Sequence, residues 1–360
     1  MAFDRIEQLA LLQDGIVCRW QLLRAGLSPR AIEHRLRDGG PWRRIVRGVY
    51  ATFTGPLSDL HKLRAAILYA GPGARIAGAW ACWMHGLSYG PARDARIVVL
   101  VPWRSRRSSS GFVQLTRIVA ADDGWHNWVD SEAVGDVGRS IAMAYDEPDE
   151  LAGGARTGVI PMASPARAVI NTVTKPFWLP AAWQATCPSG NGCPVCQPGR
   201  GHAVTALRNV RALLCEVVQT GQCSVADLAK QLDSTGRRHT ALARRVLDDL
   251  EAGCRSAPEC ELRDLIATSR VLPPPRWNQP LPGTRGLYPD ACWPDARLVV
   301  EVDSRAFHGF GDAPERTERR RARYAALGWL VVPVAPRRIR EEPAVVLREL
   351  EGAYLAGRRR

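Results

Sequence analysis

The residues most able to do chemistry lie in the stretch Tyr288 to Gly309, YPDACWPDARLVVEVDSRAFHG, which carries the carboxylates Asp290, Glu301 and Asp303. Successive strand residues point to opposite faces. Leu298, Val300 and Val302 therefore share one face, and Val299, Glu301 and Asp303 the other. Trp293 to Ala296 reads as a turn with Pro294-Asp295 at its tip. Pairing outward from that tip sets Asp290 opposite Val299 and diagonal to Glu301 on one face. Clustered carboxylates repel, and a shared cation would relieve the cost. Mg²⁺ suits such a site, since it takes one or two carboxylates together with water and phosphate oxygens. An acid on a strand is more often simply solvated, but this Val-rich run reads as a strand buried on at least one side, where unpaired acids are uncommon.

The elements around the hairpin resemble the PD-(D/E)xK nuclease superfamily, and most closely its very-short-patch-repair-like branch. Ser256 to Arg263, SAPECELR, resembles the opening helix, with Glu259 at the helix-glutamate position. Asp290 takes the PD position, Glu301 the (D/E) position and Asp303 the position of the lysine, and His308 follows. Arg319 and Arg320 match the basic helix, and Gly328-Trp329-Leu330-Val331 the last strand. The resemblance implies a metal-dependent phosphodiesterase with Asp290, Glu301 and Glu259 as ligands of Mg²⁺ and with Asp303 and His308 in the catalytic set. Such an ion would activate a water and take up charge on the phosphate. The motif lysine is absent, and no lysine follows Lys230. Arg305, His308 and Arg319 are the candidates to supply its charge. Thr317 and Glu318 stand where the branch favours an aspartate. For Glu259 alone, the helix dipole is a sufficient reason for an acid in the first turn.

The 360 residues exceed one ordinary domain, and 46% apolar content supports real cores. No apolar run reaches the ~20 residues that span a bilayer. The opening MAFDRIEQLALLQDG is not a basic-then-apolar leader, and the ten cysteines are scattered, which together predict a cytoplasmic protein without a disulfide framework. The formal charge of +13 favours a nucleic-acid partner through counterion release, although charge alone does not separate DNA from RNA.

Residues 1–53 read as a winged helix. Ile6, Leu9, Ala10 and Gln13 follow helical spacing, and Asp14-Gly15 stops that helix. Arg19 to Ala25 forms a second helix. Ser28 caps a third, with Pro29 at its first position and Ile32 and Leu36 inward. Trp42 to Ala51 forms a basic hairpin. In a winged helix the third helix reads the major groove and the hairpin touches backbone, which puts Arg30, His34, Arg35, Arg37, Arg43 and Arg44 at double-stranded DNA, together with Arg319 and Arg320 of the basic helix. The stretch GIVCRWQLLRAGLSPRAIEHRLRDGGPWRRIVRGVYA resembles the N-terminal domain of AbiEi-type antitoxins. That resemblance implies an operon repressor with a cognate toxin. A repressor would also need a homodimer on a palindromic site. A winged helix used only for protein contacts is the plainer alternative.

Residues 54–250 read as a mixed α/β middle region. Helices are expected over Leu60 to Tyr69, Ala77 to His85, Ser164 to Val173, Ala203 to Thr220, Val225 to Leu232 and Thr240 to Ala252, with a buried strand over Ala95 to Pro102. Insertions fall at about 125–154 and 180–202. The second holds Cys187, Cys193, Cys196 and His202, half of a Zn²⁺ site or simply free thiols. Residues 251–360 form the nuclease-like domain. The whole is therefore expected to be an α/β multidomain protein. Two functions stay open, a Mg²⁺-dependent DNA endonuclease and an antitoxin-like repressor on an inactive nuclease fold.

Overall fold

A computed structural model describes residues 2–93, 96–118, 126–129, 159–174, 201–284, 286–302 and 313–359. The chain divides into two units, Met1–Trp178 and Leu179–Arg360. Both mix helices with sheets, so the protein is α/β and multidomain.

The first unit opens with helix α1 (Ala2–Leu12), which Asp14 and Gly15 end in left-handed backbone, at φ 56° and 75°. Strand β1 (Ile16–Cys18) leads into α2 (Arg19–Arg24) and α3 (Pro29–Arg35). Ser28 caps α3, its hydroxyl accepting from the Ala31 N–H at 3.2 Å, and Pro29 starts the helix without wasting a donor. Strands β2 (Arg43–Val46) and β3 (Val49–Ala51) close an antiparallel sheet of order β1-β3-β2. Ile6, Leu9, Val17, Leu22, Ile32 and Tyr50 form its core. This is the winged-helix layout expected of residues 1–53.

Helix α4 (Asp59–Ala70) follows, capped by Ser58. It is tied to the winged helix by Arg64, which is fully buried and paired with Asp14 at 3.0 Å. Strands β4 (Arg75–Ala77), β5 (Ile97–Pro102), β6 (Val113–Ile118), β7 (His126–Val129) and β8 (Val159–Met162) make a mixed sheet of order β6-β5-β4-β8-β7. Helices α5 (Gly78–Met84) and α6 (Pro165–Val173) pack together. Two expectations need correction here. Ala77 ends a strand rather than starting a helix; a strand of three residues is too short to show a period. Residues 126–129 are a strand paired with β8, not irregular loop; the rest of that insertion lies outside the described residues.

In the second unit, α7 (Gly201–Gln219), α8 (Val225–Asp233), α9 (Ala241–Glu251) and α10 (Ala257–Ile266) precede a four-stranded sheet. Its strands are β9 (Arg276–Trp277), β10 (Ala291–Trp293), β11 (Leu298–Val302) and β12 (Leu330–Val334), in the order β12-β11-β10-β9. Strands β11 and β12 are parallel and need a crossover, which α11 (Ala313–Ala326) provides. Helices α12 (Pro336–Glu341) and α13 (Pro343–Arg358) finish the unit. Helices α7 to α9, grouped by sequence with the middle region, belong to this unit. Arg211 of α7 explains why: it is buried and paired with Asp249 of α9 and Asp264 of α10, both at 2.8 Å. Removing one member of such a buried charge network costs about 3–5 kcal/mol, so α7, α9 and α10 hold together. Among the described residues no helix is long and apolar enough to cross a membrane.

Candidate active site

The site is built on the β10–β11 hairpin. Its turn is as long as the sequence indicates but lies one residue further on: Trp293 pairs with Leu298, Pro294 to Ala296 form a single 3₁₀ turn, and Arg297 is left-handed at φ 43°. Helix α13 holds that turn from outside. The Tyr354 hydroxyl and the Arg358 guanidinium donate to Asp295 at 2.8 and 3.0 Å, and the Tyr354 ring meets Trp293 edge-on. Cys292 then pairs with Val299, and Ala291 with Val300. The next rung sets Asp290 across from Glu301 rather than from Val299. The expected register was thus off by two residues. Because side chains alternate with period two, the acids still share one face.

Asp290 Oδ2 accepts from the Val302 N–H at 2.6 Å, and its carbonyl accepts from Asn278 N–H at 3.1 Å. The carboxyl is pushed up to about 8, by burial first and then by the charges of Glu259 and Glu301. Glu301 is 1% exposed. Arg320, from α11, donates to its Oε2. Its Oε1 and the Tyr324 hydroxyl are both buried, and the two side chains are within hydrogen-bonding reach of each other. These two groups act on each other electrostatically, since the Glu301 charge helps to raise the Tyr324 phenol. Burial raises the Glu301 carboxyl, while Arg320 pulls it down.

Glu259 has a different employment. It is the third residue of α10, and it completes a capping arrangement with Ser256. Its carboxylate accepts from the Ser256 hydroxyl at 2.7 Å, the Arg255 N–H at 2.9 Å and the Asn278 amide at 2.6 Å. Burial raises it, against those three hydrogen bonds. Directly after it, buried Cys260 neighbours the buried thiols of Cys215 and Cys254, which push its own thiol down. The sequence reading missed this thiol cluster, because Cys215 lies far from the other two along the chain.

The structure therefore brings Asp290 and Glu301 together, with Glu259 close enough to raise the Asp290 carboxyl. Among the described residues no three acids, cysteines or histidines meet in a metal-ligating group. The buried Glu301 carboxylate and the raised Asp290 carboxyl are nevertheless what a site for one shared cation would present. The Glu259 oxygens are already committed. Arg320 turns out to contact an acid of the site, a contact with no sequence signal, since the partners are joined only through tertiary structure. Arg319 is exposed. Asp303, Arg305 and His308 lie outside the described residues, as do Cys187, Cys193 and Cys196. His202 falls on α7, with its side chain outside the description.

On the winged helix, Arg30, His34 and Arg37 are exposed, and Arg37 meets His34 at 2.8 Å. Arg35 turns back, donating to the Ala31 carbonyl at 2.9 Å with its guanidinium 5.3 Å from the centre of the Trp42 ring. Arg44, on the hairpin, pairs with Glu33 of α3 at 2.6 Å, and Arg43 is partly buried. The surface expected at DNA is thus basic but also carries the exposed acids Glu33 and Asp38.

No family model matches the chain. Two uncharacterised proteins of Mycobacterium tuberculosis, MT2308 and Rv2248, are each 32% identical to it over 160 residues, 42% of this chain. The chain spans 59% of the length of these curated relatives. A crystal structure of the RV2827C protein of Mycobacterium tuberculosis is similar at 21% identity and a TM-score of 0.37, covering 69% of this chain and 76% of that one.

Proposed function

We propose that the chain binds double-stranded DNA through its winged helix and hydrolyses phosphodiester bonds with its second unit, using one Mg²⁺ held by Asp290 and Glu301. The observation that carries this reading is the Glu301 carboxylate, 1% exposed, across the hairpin from a carboxyl that its neighbours push up to about 8. Two acids buried against each other are costly, and sites that store such a cost are commonly functional. The ion would supply a positive charge to the reacting phosphate. Asp290 and Glu301 hold it, and the hydrogen bond from Val302 N–H fixes the Asp290 carboxylate. Glu259 orders the start of α10 and, through Asn278, the segment that enters β10. Arg320 brings positive charge to the acid pair, which the missing lysine does not.

The test is nicking of supercoiled plasmid by the full chain with Mg²⁺ or Mn²⁺, beside Asp290→Ala and Glu301→Ala. Nicking by the wild type that both variants lose supports the hydrolase. The Arg320–Glu301 pair favours a second reading, in which the guanidinium takes the cation's place permanently. The chain is then an antitoxin-like repressor with a homodimeric DNA complex and a cognate toxin. No nicking together with retained binding to its own promoter would select that reading.

A further inference from the structure

The first unit has a cavity of about 1050 Å³ bounded by α4, α5 and the 86–93 loop. Two indoles of α5 line it, one turn apart. Trp80 is buried, Trp83 is 40% exposed, and the rings meet edge to face with centroids 6.1 Å apart. The Arg93 guanidinium lies over Trp83, 4.3 Å from the ring centre, and 5.3 Å from that of Trp80. Arg93 also pairs with Asp59, as does Lys62 at 3.2 Å. Two cations thus share one carboxylate beside an aromatic wall.

This arrangement specifies its ligand by chemistry. A planar guanidinium on an indole marks a face where another flat, electron-poor group can stack. The surplus positive charge calls for an anion close to that flat group. The volume is at the upper end for small-molecule sites, which run to about 1,000 Å³. We propose that this cavity binds a nucleotide, with the base stacked on Trp83 and the phosphate on Arg93 and Lys62. Arg93 leaves Asp59 and the face of Trp83 for the phosphate when the ligand enters, and the base takes the vacated face. The nucleotide is either free or one unit of a single strand, since both present a base beside a phosphate. The proposal does not depend on the hydrolase reading.

The experiment measures fluorescence anisotropy of the full chain, in EDTA, with two probes: an N-methylanthraniloyl nucleoside monophosphate and a labelled short oligothymidylate. At least one probe binds saturably. Binding of the mononucleotide identifies a free nucleotide as the ligand, and binding of the oligomer alone identifies a strand. Trp83→Ala weakens binding about tenfold or more, the worth of one base stack, whereas Trp83→Phe stays within about threefold. Arg93→Ala weakens binding and flattens its salt dependence. The proposal is overturned if neither probe binds, if Trp83→Ala binds like wild type, or if inorganic phosphate competes as well as unlabelled nucleotide. Trp83 is too exposed for its truncation to unfold the chain, and a melting curve checks this.

Discussion

Arg320, from helix α11, donates to one carboxylate oxygen of Glu301 on the β10–β11 hairpin. One helical side chain therefore sets the charge at the centre of the hairpin. Its removal strands a carboxylate that is 1% exposed. Breaking a fully buried pair costs about 3–5 kcal/mol. Because Arg320 is 41% exposed, water screens part of this, and Arg320→Met should cost about 1–3 kcal/mol. Millimolar Mg²⁺ should restore part of that loss in the variant by taking the vacated position. Urea melts with and without the ion check both effects. A variant as stable as wild type, or indifferent to Mg²⁺, would contradict the assignment of Glu301 to a cation.

The Asp290 carboxyl gives the metal-free protein a pH signature. Its value is raised from 3.8 to about 8 on folding. Between those values the native state holds a proton that the unfolded chain has released, so stability falls as pH rises. The contribution is complete below the unfolded value and gone above about 8. The slope is at most about 1.4 kcal/mol per pH unit. Asp290→Asn should flatten it, and Mg²⁺ should reverse it by favouring the charged form. Melting temperatures from pH 4 to 8 in EDTA, wild type against Asp290→Asn, measure this. Equal profiles would show that Asp290 titrates normally.

Glu259 separates a structural acid from a functional one. Its carboxylate caps α10 and holds Asn278. Glu259→Ala leaves the Arg255 N–H and the Asn278 amide without it, and should cost about 1–3 kcal/mol whether or not metal is present. Loss of the cap hydroxyl in Ser256→Ala should cost about 1 kcal/mol. A Glu259 variant that keeps its stability but loses Mg²⁺ affinity would move this residue back among the ligands.

Which parts of this were legible follows from the range of the interactions. Ser28-Pro29 and Ser256 with Glu259 are local signals, and both mark helix starts as the spacing predicts. The alternation around Glu301 is also local, and it puts the acids on the right face. The register needed the turn, and the turn depends on Arg297 entering left-handed backbone under the clamp of Tyr354 and Arg358 on Asp295. No pattern near residue 297 announces a helix that arrives some sixty residues later. The same holds for Arg320 on Glu301 and for Arg211, whose two acids decide that α7 to α9 belong to the second unit. The sequence assigned Arg320 to DNA because its charge is visible and its partner is not.

The winged-helix surface makes the last prediction, which rests on the proposed DNA contact. Arg30 and Arg37 are exposed on and beside α3. Each arginine withdrawn from a phosphate should lower the slope of log affinity against log salt by about 0.9. Arg30→Ala and Arg37→Ala should each weaken DNA binding in that way. Glu33 acts in the opposite sense. It lies on the same helix, pairs with Arg44 at 2.6 Å and with Arg19 at 3.8 Å, and faces any phosphate those arginines could reach. Glu33→Gln removes a repulsive charge and frees both guanidiniums, so DNA binding should tighten and its salt dependence steepen. An exposed pair of this kind is worth about 0–1 kcal/mol to the fold, so stability should barely change. Affinity at several salt concentrations decides the matter. If Glu33→Gln weakened binding, the helix would be reading an element through that acid, as a glutamate does with cytosine, and the contact would be to bases rather than to backbone.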